Sequence, residues 1–169
     1  MSRAPFQVLV FPYMIDSNGE ILYCVFRRQN EDGGYWQAIA GGVEGAEAPL
    51  DAAIREGFEE AGIPEDCEYV QMDSCAAIPA ADVCGLLWGN DILVIPEYAF
   101  AVRVVDAQIA LSREHTDFRW VDYNTAKQML KWDSNRTALW ELDFRLRAGL
   151  GFPAPTHAHR DQKAVDGKA

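Results

Sequence analysis

The chain has 169 residues, enough for one domain with its own core, and its 49% of hydrophobic residues is typical of a globular protein. The formal net charge of −11 would repel a phosphate backbone, which disfavours nucleic acid as a partner. The four cysteines form no CxxC pair and have no histidine at zinc spacing, so we interpret them as free thiols of a reducing compartment. No basic segment followed by a short apolar run opens the sequence, and no apolar run reaches membrane length. We therefore expect a cytoplasmic protein with no membrane partner.

Strands joined by turns are predicted on both sides of one long helix. Asn18-Gly19 suits the positive φ angles of a hairpin turn between the first two strands. The segment 79–90 is compatible with either a strand or a loop packed on the core. Runs of β-forming residues predict strands at 6–13, 21–28, 35–40, 67–78, 92–95, 98–105 and 117–121, with a break at Pro96-Glu97.

The long helix is predicted from Pro49 to the residue before Gly62. Proline suits a first turn because its missing N–H has no partner there, and glycine suits a helix end. Glu56, Glu59 and Glu60 stand at i, i+3 and i+4, so they project from one face. Carboxylates this close repel one another, and a hard cation such as Mg²⁺ or Mn²⁺ would relieve the repulsion. The alternative is a solvated acidic face, which is common on helices.

The last third of the sequence predicts two helices and a tail. The first helix spans 124–130 and is capped by Asn124 or Thr125. The second spans 134–147 and places leucines along one stripe. From residue 149 onward, proline, glycine and charged residues replace apolar ones, so we expect 149–169 to be poorly ordered and its histidines to be solvated.

Glycines and charged residues around the long helix follow a known spacing. The pattern GX5EX7REUXEEXGU, where U is a bulky apolar residue, is the Nudix box, and eight of its nine defined positions are matched. The chain therefore resembles the Nudix hydrolase superfamily. The matching residues are Gly41, Glu47, Arg55, Glu56, Glu59, Glu60, Gly62 and Ile63.

Gly57 is the one departure, because a bulky apolar residue is usual at its position. A glycine inside a helix weakens it by roughly 1 kcal/mol relative to alanine. If that is its only effect, Gly57→Ala should raise stability by about 0.5–1 kcal/mol. A need for close packing at this position predicts the opposite, and the sequence leaves both alternatives open.

The resemblance implies an α+β fold, in which a mixed, curved β-sheet is sandwiched between helices in an α/β/α arrangement. It implies a single domain over residues 1–148, and Mg²⁺ as cofactor with Mn²⁺ as a substitute. Arg55 is assigned either to an orienting salt bridge with Glu47 or to a plain surface ion pair. In similar enzymes a glutamate at the place of Glu114 joins the metals or serves as base, and the alternative is an exposed loop acid; His115 is an alternative base. The implied metal ligands are Gly41, Glu56, Glu59, Glu60 and Glu114, and the implied catalytic residues are Glu59, Arg55 and Glu114.

Three segments outside the box resemble one bacterial branch, the dihydroneopterin triphosphate diphosphatases, also described as dATP pyrophosphohydrolases. They are Tyr-Trp-Gln at 35–37, Ser-Arg-Glu-His at 112–115 and Trp-Asp-Ser-Asn-Arg at 132–136. The branch implies a nucleoside or pterin triphosphate as substrate. Only one residue of the Arg27-Arg28 pair can face the site, because side chains alternate along a strand. The predicted substrate-binding residues are Arg28, Trp36, Gln37, Asn135 and Arg136.

Some of these assignments have structural alternatives. Trp36 and Tyr35 could stack on a substrate ring, but Trp36 could instead belong to the core. Asn135 and Arg136 could brace the last helix instead of touching substrate.

Three functions are open at this point: a metal-dependent diphosphatase for nucleoside or pterin triphosphates, a pyrophosphohydrolase for dinucleoside polyphosphates or RNA 5′ ends, and a non-catalytic nucleotide-binding module. The net charge weighs against RNA, and the intact box glutamates weigh against the non-catalytic module. The sequence leaves the oligomeric state open, with a homodimer as one alternative.

Overall fold

The computed structural model describes residues 3–152. Within them, seven strands form one sheet and four helices pack against it. The strands are β1 (Arg3–Ile15), β2 (Ile21–Arg28), β3 (Trp36–Gln37), β4 (Ile39–Glu44), β5 (Tyr69–Pro79), β6 (Val94–Arg103) and β7 (His115–Val121). The helices are α1 (Pro49–Ala61), α2 (Ala80–Cys84), α3 (Tyr123–Met129) and α4 (Asp133–Ala148), and a 3₁₀ turn spans Asn30–Asp32.

The sheet is mixed and is organised around the long strand β1. Its order is β3-β2-β1-β6-β5, and β6 runs parallel to β1 while the other pairings are antiparallel. One side of β1 is shared by two partners, because β4 pairs with residues 3–10 and β2 pairs with residues 13–15. The strands β4 and β2 therefore diverge, and the predicted mixed sheet is confirmed.

Side chains of β1 alternate between two cores on the opposite faces of the sheet. Val8 and Val10 pack with the alanines of α1, while Leu9 and Phe11 pack with α3 and α4. A strand buried on both faces has this near-continuous apolar sequence. The predicted α/β/α layering is confirmed, since helices cover both faces.

The helix α1 has the predicted ends. Pro49 occupies its first turn, and Gly62 ends it in the left-handed conformation with φ of +67°. The Gly62 N–H donates to the Phe58 carbonyl and the Ile63 N–H donates to the Gly57 carbonyl, which satisfies the last turn.

Other predicted boundaries are wrong. Pro96 does not interrupt β6. The pairing of β1 with β6 begins only at Glu97, so β1 does not require the backbone N–H that proline lacks. The predicted strand 35–40 is two strands that separate at Ala38. The ambiguous segment 79–90 contains α2. The cap of α3 is Asp122, whose carboxylate accepts from the backbone N–H groups of Asn124 and Thr125.

The described chain continues beyond α4 as far as Phe152. Arg145 donates to the Gly151 carbonyl at 2.7 Å, and Phe152 packs against the core on the α4 face. The remainder of the predicted tail, with its histidines, lies outside the described residues. All four cysteines are free thiols. Between residues 3 and 152, none of the helices combines the length and apolar character that a membrane crossing requires.

Candidate active site

Arg55 of α1 connects the charged residues of the box. Its Nη2 donates to Glu47 at 2.7 Å and to the Gly42 carbonyl at 2.8 Å. From Nη1 it donates to Glu56 at 2.8 Å and to Glu59 at 3.1 Å. The salt bridge with Glu47 that the spacing predicts is therefore present. It ties α1 to the end of β4 and orients two carboxylates of the helix.

Glu60 is held by His115 at the start of β7. The Nε2–Oε2 distance is 2.7 Å, and the side chains of His115 and Glu60 are only 0% and 4% exposed. The imidazole packs on Phe26, and its Nδ1 has no hydrogen-bond partner within residues 3–152. Burial raises the pKa of Glu60, and the contact with His115 opposes this. Glu60 lines the large cavity beside α1 and His115 does not, so the histidine positions the carboxylate.

The carboxylate of Glu56 lies directly against the Gly41 backbone in β4. A Cβ at position 41 would overlap the carboxylate carbon and Oε1 of Glu56, so only glycine allows this approach. Burial raises the pKa of Glu56 to about 7, while Arg55 opposes this and the charge of Glu60 adds to it. Carboxylate oxygens and a glycine peptide are thereby brought together at one part of the cavity wall.

The cavity beside α1 has a volume of about 890 Å³. This volume lies within the range of small-molecule sites, roughly 300–1,000 Å³. Its lining includes Arg3 and Arg28 but a larger number of acidic side chains. A phosphorylated substrate would therefore need additional positive charge in the cavity. The acidic lining residues are Asp32, Glu56, Glu60, Asp82, Glu97, Glu114 and Asp133.

Arg28 is the member of the arginine pair that lines the cavity. It forms ion pairs with Glu114 at 2.5 Å and with Asp32 at 3.1 Å. Burial lowers the pKa of Arg28, but the carboxylates of Glu114 and Asp32 outweigh it and the pKa is raised. Glu114 itself is exposed, with 58% of its side chain accessible, and it lines the same cavity as Glu56 and Glu60 of α1. Arg27 instead donates to the Gly34 carbonyl.

The donor set fits a hard divalent cation. Gly41, Glu56, Glu60 and Glu114 all line the cavity, and they offer oxygen atoms of the kind that Mg²⁺ prefers. Among residues 3–152, no three His, Cys, Asp or Glu side chains converge into a ready coordination sphere. Arg55 contacts Glu56 and Glu59, and His115 contacts Glu60, so each helix carboxylate already has a partner. Glu59 is turned to Arg55, with 56% of its side chain exposed, and it does not line the cavity.

The predicted substrate-binding residues divide into two groups. Gln37 and Asn135 are buried and line the cavity, but Asn135 Oδ1 already accepts from the Ala38 N–H at 2.9 Å. Trp36 and Arg136 do not line the cavity. The indole of Trp36 is half-buried against the α4-side core, with the Arg119 guanidinium 5.0 Å from its ring.

Arg136 braces the start of α4. Its guanidinium donates to the carbonyls of Leu130 and Lys131 and forms an ion pair with Asp133. These contacts tie the Arg136 side chain to the start of α4 and to the loop before it, which matches the bracing alternative for this residue.

Two aromatic rings at the cavity are better placed to stack than Trp36. Tyr35 and Trp132 both line it and contact each other edge to face at 5.3 Å. The Lys131 ammonium lies 4.2 Å from the centre of each ring. Sequence reasoning gave Trp132 no role of its own, because spacing along the chain cannot show which of two tryptophans faces a cavity.

Sequence reasoning also missed two polar residues of the cavity, Gln7 and Glu97. They are buried, and the Gln7 amide donates to the Glu97 carboxylate at 2.7 Å. Ninety positions separate them in sequence, so no local pattern joins them. Only the parallel pairing of β1 with β6 does so.

Comparisons with known proteins agree with this architecture. A family model described as the NUDIX domain matches residues 5–140. The chain is 27% identical over 143 residues to the dihydroneopterin triphosphate diphosphatase of Haemophilus influenzae, which covers 83% of this chain and 88% of that protein. It is 35% identical over 111 residues to an octanoyltransferase of Myxococcus xanthus, covering 65% of this chain but only 29% of that protein.

A solved structure extends the likeness to three dimensions. A Listeria monocytogenes protein described as a NUDIX hydrolase superposes with a TM-score of 0.76 at 39% identity, covering 86% of this chain and 97% of that one. The match of the family model covers most of the chain and includes the Nudix box, α1 and every residue that lines the cavity beside it except Arg3. The chain therefore belongs to the NUDIX domain family.

Proposed function

We propose that this Nudix hydrolase is a divalent-metal-dependent diphosphatase that splits a nucleoside or pterin triphosphate into a monophosphate and pyrophosphate. The observation that carries the proposal is one cavity lined by the oxygen-rich set Gly41, Glu56 and Glu60 together with the aromatic pair Tyr35 and Trp132. Such a cavity can hold a polyphosphate and a flat ring at once. The Haemophilus influenzae relative, by its name, acts on a pterin triphosphate, which supports this substrate class.

The metal would be held by the residues that the box implies. Gly41, Glu56 and Glu60 would form the platform, and Glu59 and Glu114 would join it by turning from their arginine partners. Mg²⁺ is the proposed metal, with Mn²⁺ as a substitute. When bound, the cation would neutralise phosphate oxygens and help to generate the attacking hydroxide.

The chain's own residues supply positioning. Arg55 holds the helix carboxylates in place, and His115 fixes the orientation of Glu60. Arg28 supplies a cationic side chain to the cavity, and a phosphate could replace one of its carboxylate partners. Glu114 would then be released next to the reacting groups, where it could take a proton from water.

The first products of hydrolysis identify which phosphate bond is cut. The protein, with Mg²⁺ in ¹⁸O-labelled water, is given a panel of nucleoside triphosphates and dihydroneopterin triphosphate, and the products are read by mass spectrometry. We expect pyrophosphate and the monophosphate as first products, with no turnover in the presence of chelator. Orthophosphate as first product, or a strict preference for dinucleoside polyphosphates or triphosphorylated RNA, contradicts the proposal.

A matched pair of variants tests the metal platform. Glu60→Gln removes a charge from the cavity wall and should lower kcat by on the order of 10³. Asp51→Asn removes one from the exposed first turn of the same helix and should leave kcat unchanged. Equal kcat values for the two variants would show that the helix carboxylates do not serve the reaction.

A further inference from the structure

Glu97 is a buried carboxylate in the cavity wall that the reaction does not use. It stands on β6, is 4% exposed and pairs in register with Gln7 of β1. Its Oε2 accepts from the Gln7 amide at 2.7 Å, whereas its Oε1 has no hydrogen-bond partner among residues 3–152. Burying an acceptor without a partner costs free energy, so such an atom in a binding cavity calls for a ligand that donates to it.

The direction of the hydrogen bond between Gln7 and Glu97 is fixed by a third residue. Arg3 donates from Nη2 to Oε1 of Gln7 at 3.3 Å, and a guanidinium can only donate. The amide nitrogen of Gln7 must then face Glu97, where it donates. Burial raises the pKa of Glu97, and the side chains of Ser134 and Gln7 oppose this by favouring the ionised form. Ionised, the carboxylate keeps Oε1 as an acceptor that makes no geometrically complete hydrogen bond among residues 3–152.

We propose that Glu97, oriented by Gln7, reads the ring edge of the substrate and selects rings that present adjacent N–H donors. This inference rests on the proposed function and names its substrate class. Guanine and the pterin ring both carry a ring N–H next to an exocyclic amino group, and a carboxylate accepts from both. Adenine presents an amino donor beside a ring nitrogen acceptor, which would face Glu97 without a proton.

The expected preference for guanine over adenine follows from the buried acceptor of Glu97, which adenine would leave unpaired. A site built to hydrogen-bond a substrate rejects an analogue that lacks the matching group, because the buried acceptor stays unpaired. The aromatic pair Tyr35 and Trp132 stacks on any flat ring and contributes little to the choice. We therefore expect kcat/KM for GTP to exceed that for ATP by on the order of 10². ITP keeps the ring N–H but lacks the amino group, so it should fall between the two.

Glu97→Gln gives the sharpest test, because its outcome is directional. Gln7 must still donate, so the new amide has to turn its oxygen toward Gln7 and its nitrogen toward the position of the free acceptor. The cavity then presents a donor, which suits the ring nitrogen of adenine. The ratio of kcat/KM for GTP to that for ATP should drop at least tenfold, with ATP unchanged or improved. Glu68→Gln, an exposed position outside the cavity, serves as the control.

Binding measurements separate this inference from the proposed function. The affinities of GMP and AMP are measured by calorimetry in Mg²⁺, with no turnover required. Tighter binding of GMP, with the order reversed in Glu97→Gln, supports the role of Glu97 even if no triphosphate is hydrolysed. Equal binding of GMP and AMP by the wild-type protein, or a Glu97→Gln variant that keeps the wild-type ratio, overturns it. If the variant does not fold, the wild-type comparison of GMP with AMP still decides between these outcomes.

Discussion

The hydroxyl of Tyr69 in β5 occupies the space that a side chain at position 57 of α1 would need. A Cβ on Gly57 would overlap the Tyr69 oxygen and lie 3.0 Å from Cζ and 3.2 Å from Cε1. The hydroxyl is buried and has no hydrogen-bond partner in the described part of the chain. Close packing, rather than a tolerated helix weakness, is therefore the reason for glycine at this position of the box.

Gly57→Ala should consequently destabilise the protein, by about 1–3 kcal/mol, because overpacking forces β5 away from α1. Tyr69→Phe removes only the buried, unpaired hydroxyl and should be neutral or stabilising. The double variant should recover a large part of the loss, and urea unfolding of all four proteins gives the coupling energy. A Gly57→Ala variant more stable than the wild type would refute the packing explanation.

Gly41→Ala should damage activity rather than folding. The added methyl group would displace the Glu56 carboxylate from its place against β4, and a 1 Å misplacement of such a group can lower the rate about 10²-fold. Steady-state kinetics with saturating Mg²⁺ measures the loss, and circular dichroism checks that the fold is retained. An undiminished kcat in a folded variant would show that catalysis does not depend on the position of the Glu56 carboxylate.

The two tryptophans near the cavity should respond differently to removal. Trp132→Ala should raise KM for the triphosphate by roughly tenfold or more, since ring stacking contributes about 1–3 kcal/mol. Trp36→Ala should mainly lower the free energy of unfolding, because its ring packs on the core beside Arg119. Trp140→Ala, on the exposed face of α4, should change neither quantity. A larger KM effect at Trp36 than at Trp132 would reverse the assignment.

Glu141 of α4 should make stability depend on acid pH. Its carboxylate accepts from the Ser74 hydroxyl at 2.5 Å, from the backbone N–H groups of Asp73 and Ser74, each at 2.7 Å, and from Arg145 at 2.8 Å. Burial alone would raise the pKa of Glu141, but these donors outweigh it and hold the pKa below its ordinary value of 4.5. A lowered pKa stabilises the fold above the unfolded-state pKa, and this contribution is lost as the pH falls through the folded-state value.

Glu141→Gln should therefore cost about 1–3 kcal/mol at pH 7, where donors face an amide nitrogen. The difference between wild type and variant should shrink as the pH is lowered below about 4.5. Denaturant unfolding at a series of pH values measures it, with Glu68→Gln as an exposed control. A difference that stays constant down to acid pH would exclude the carboxylate as its source.

The sequence by itself determined the features that depend on neighbours within one or two helical turns. Pro49 and Gly62 set the ends of α1, because a missing N–H and a left-handed φ are local requirements. The spacing of Glu56 and Glu60 placed both carboxylates on the face that lines the cavity, as helical periodicity predicts. Glu59 was predicted on the same face, but its side chain turns to Arg55 and does not line the cavity.

Only the tertiary structure decided which side chains meet across the sheet. Trp36 and Trp132 look equivalent in sequence, but Trp36 packs against the core on the α4 face whereas Trp132 lines the cavity. Glu97 meets Gln7 only because β6 aligns with β1 in parallel. Each strand offers two faces, and long-range pairing, which no local pattern encodes, selects the face and the partner.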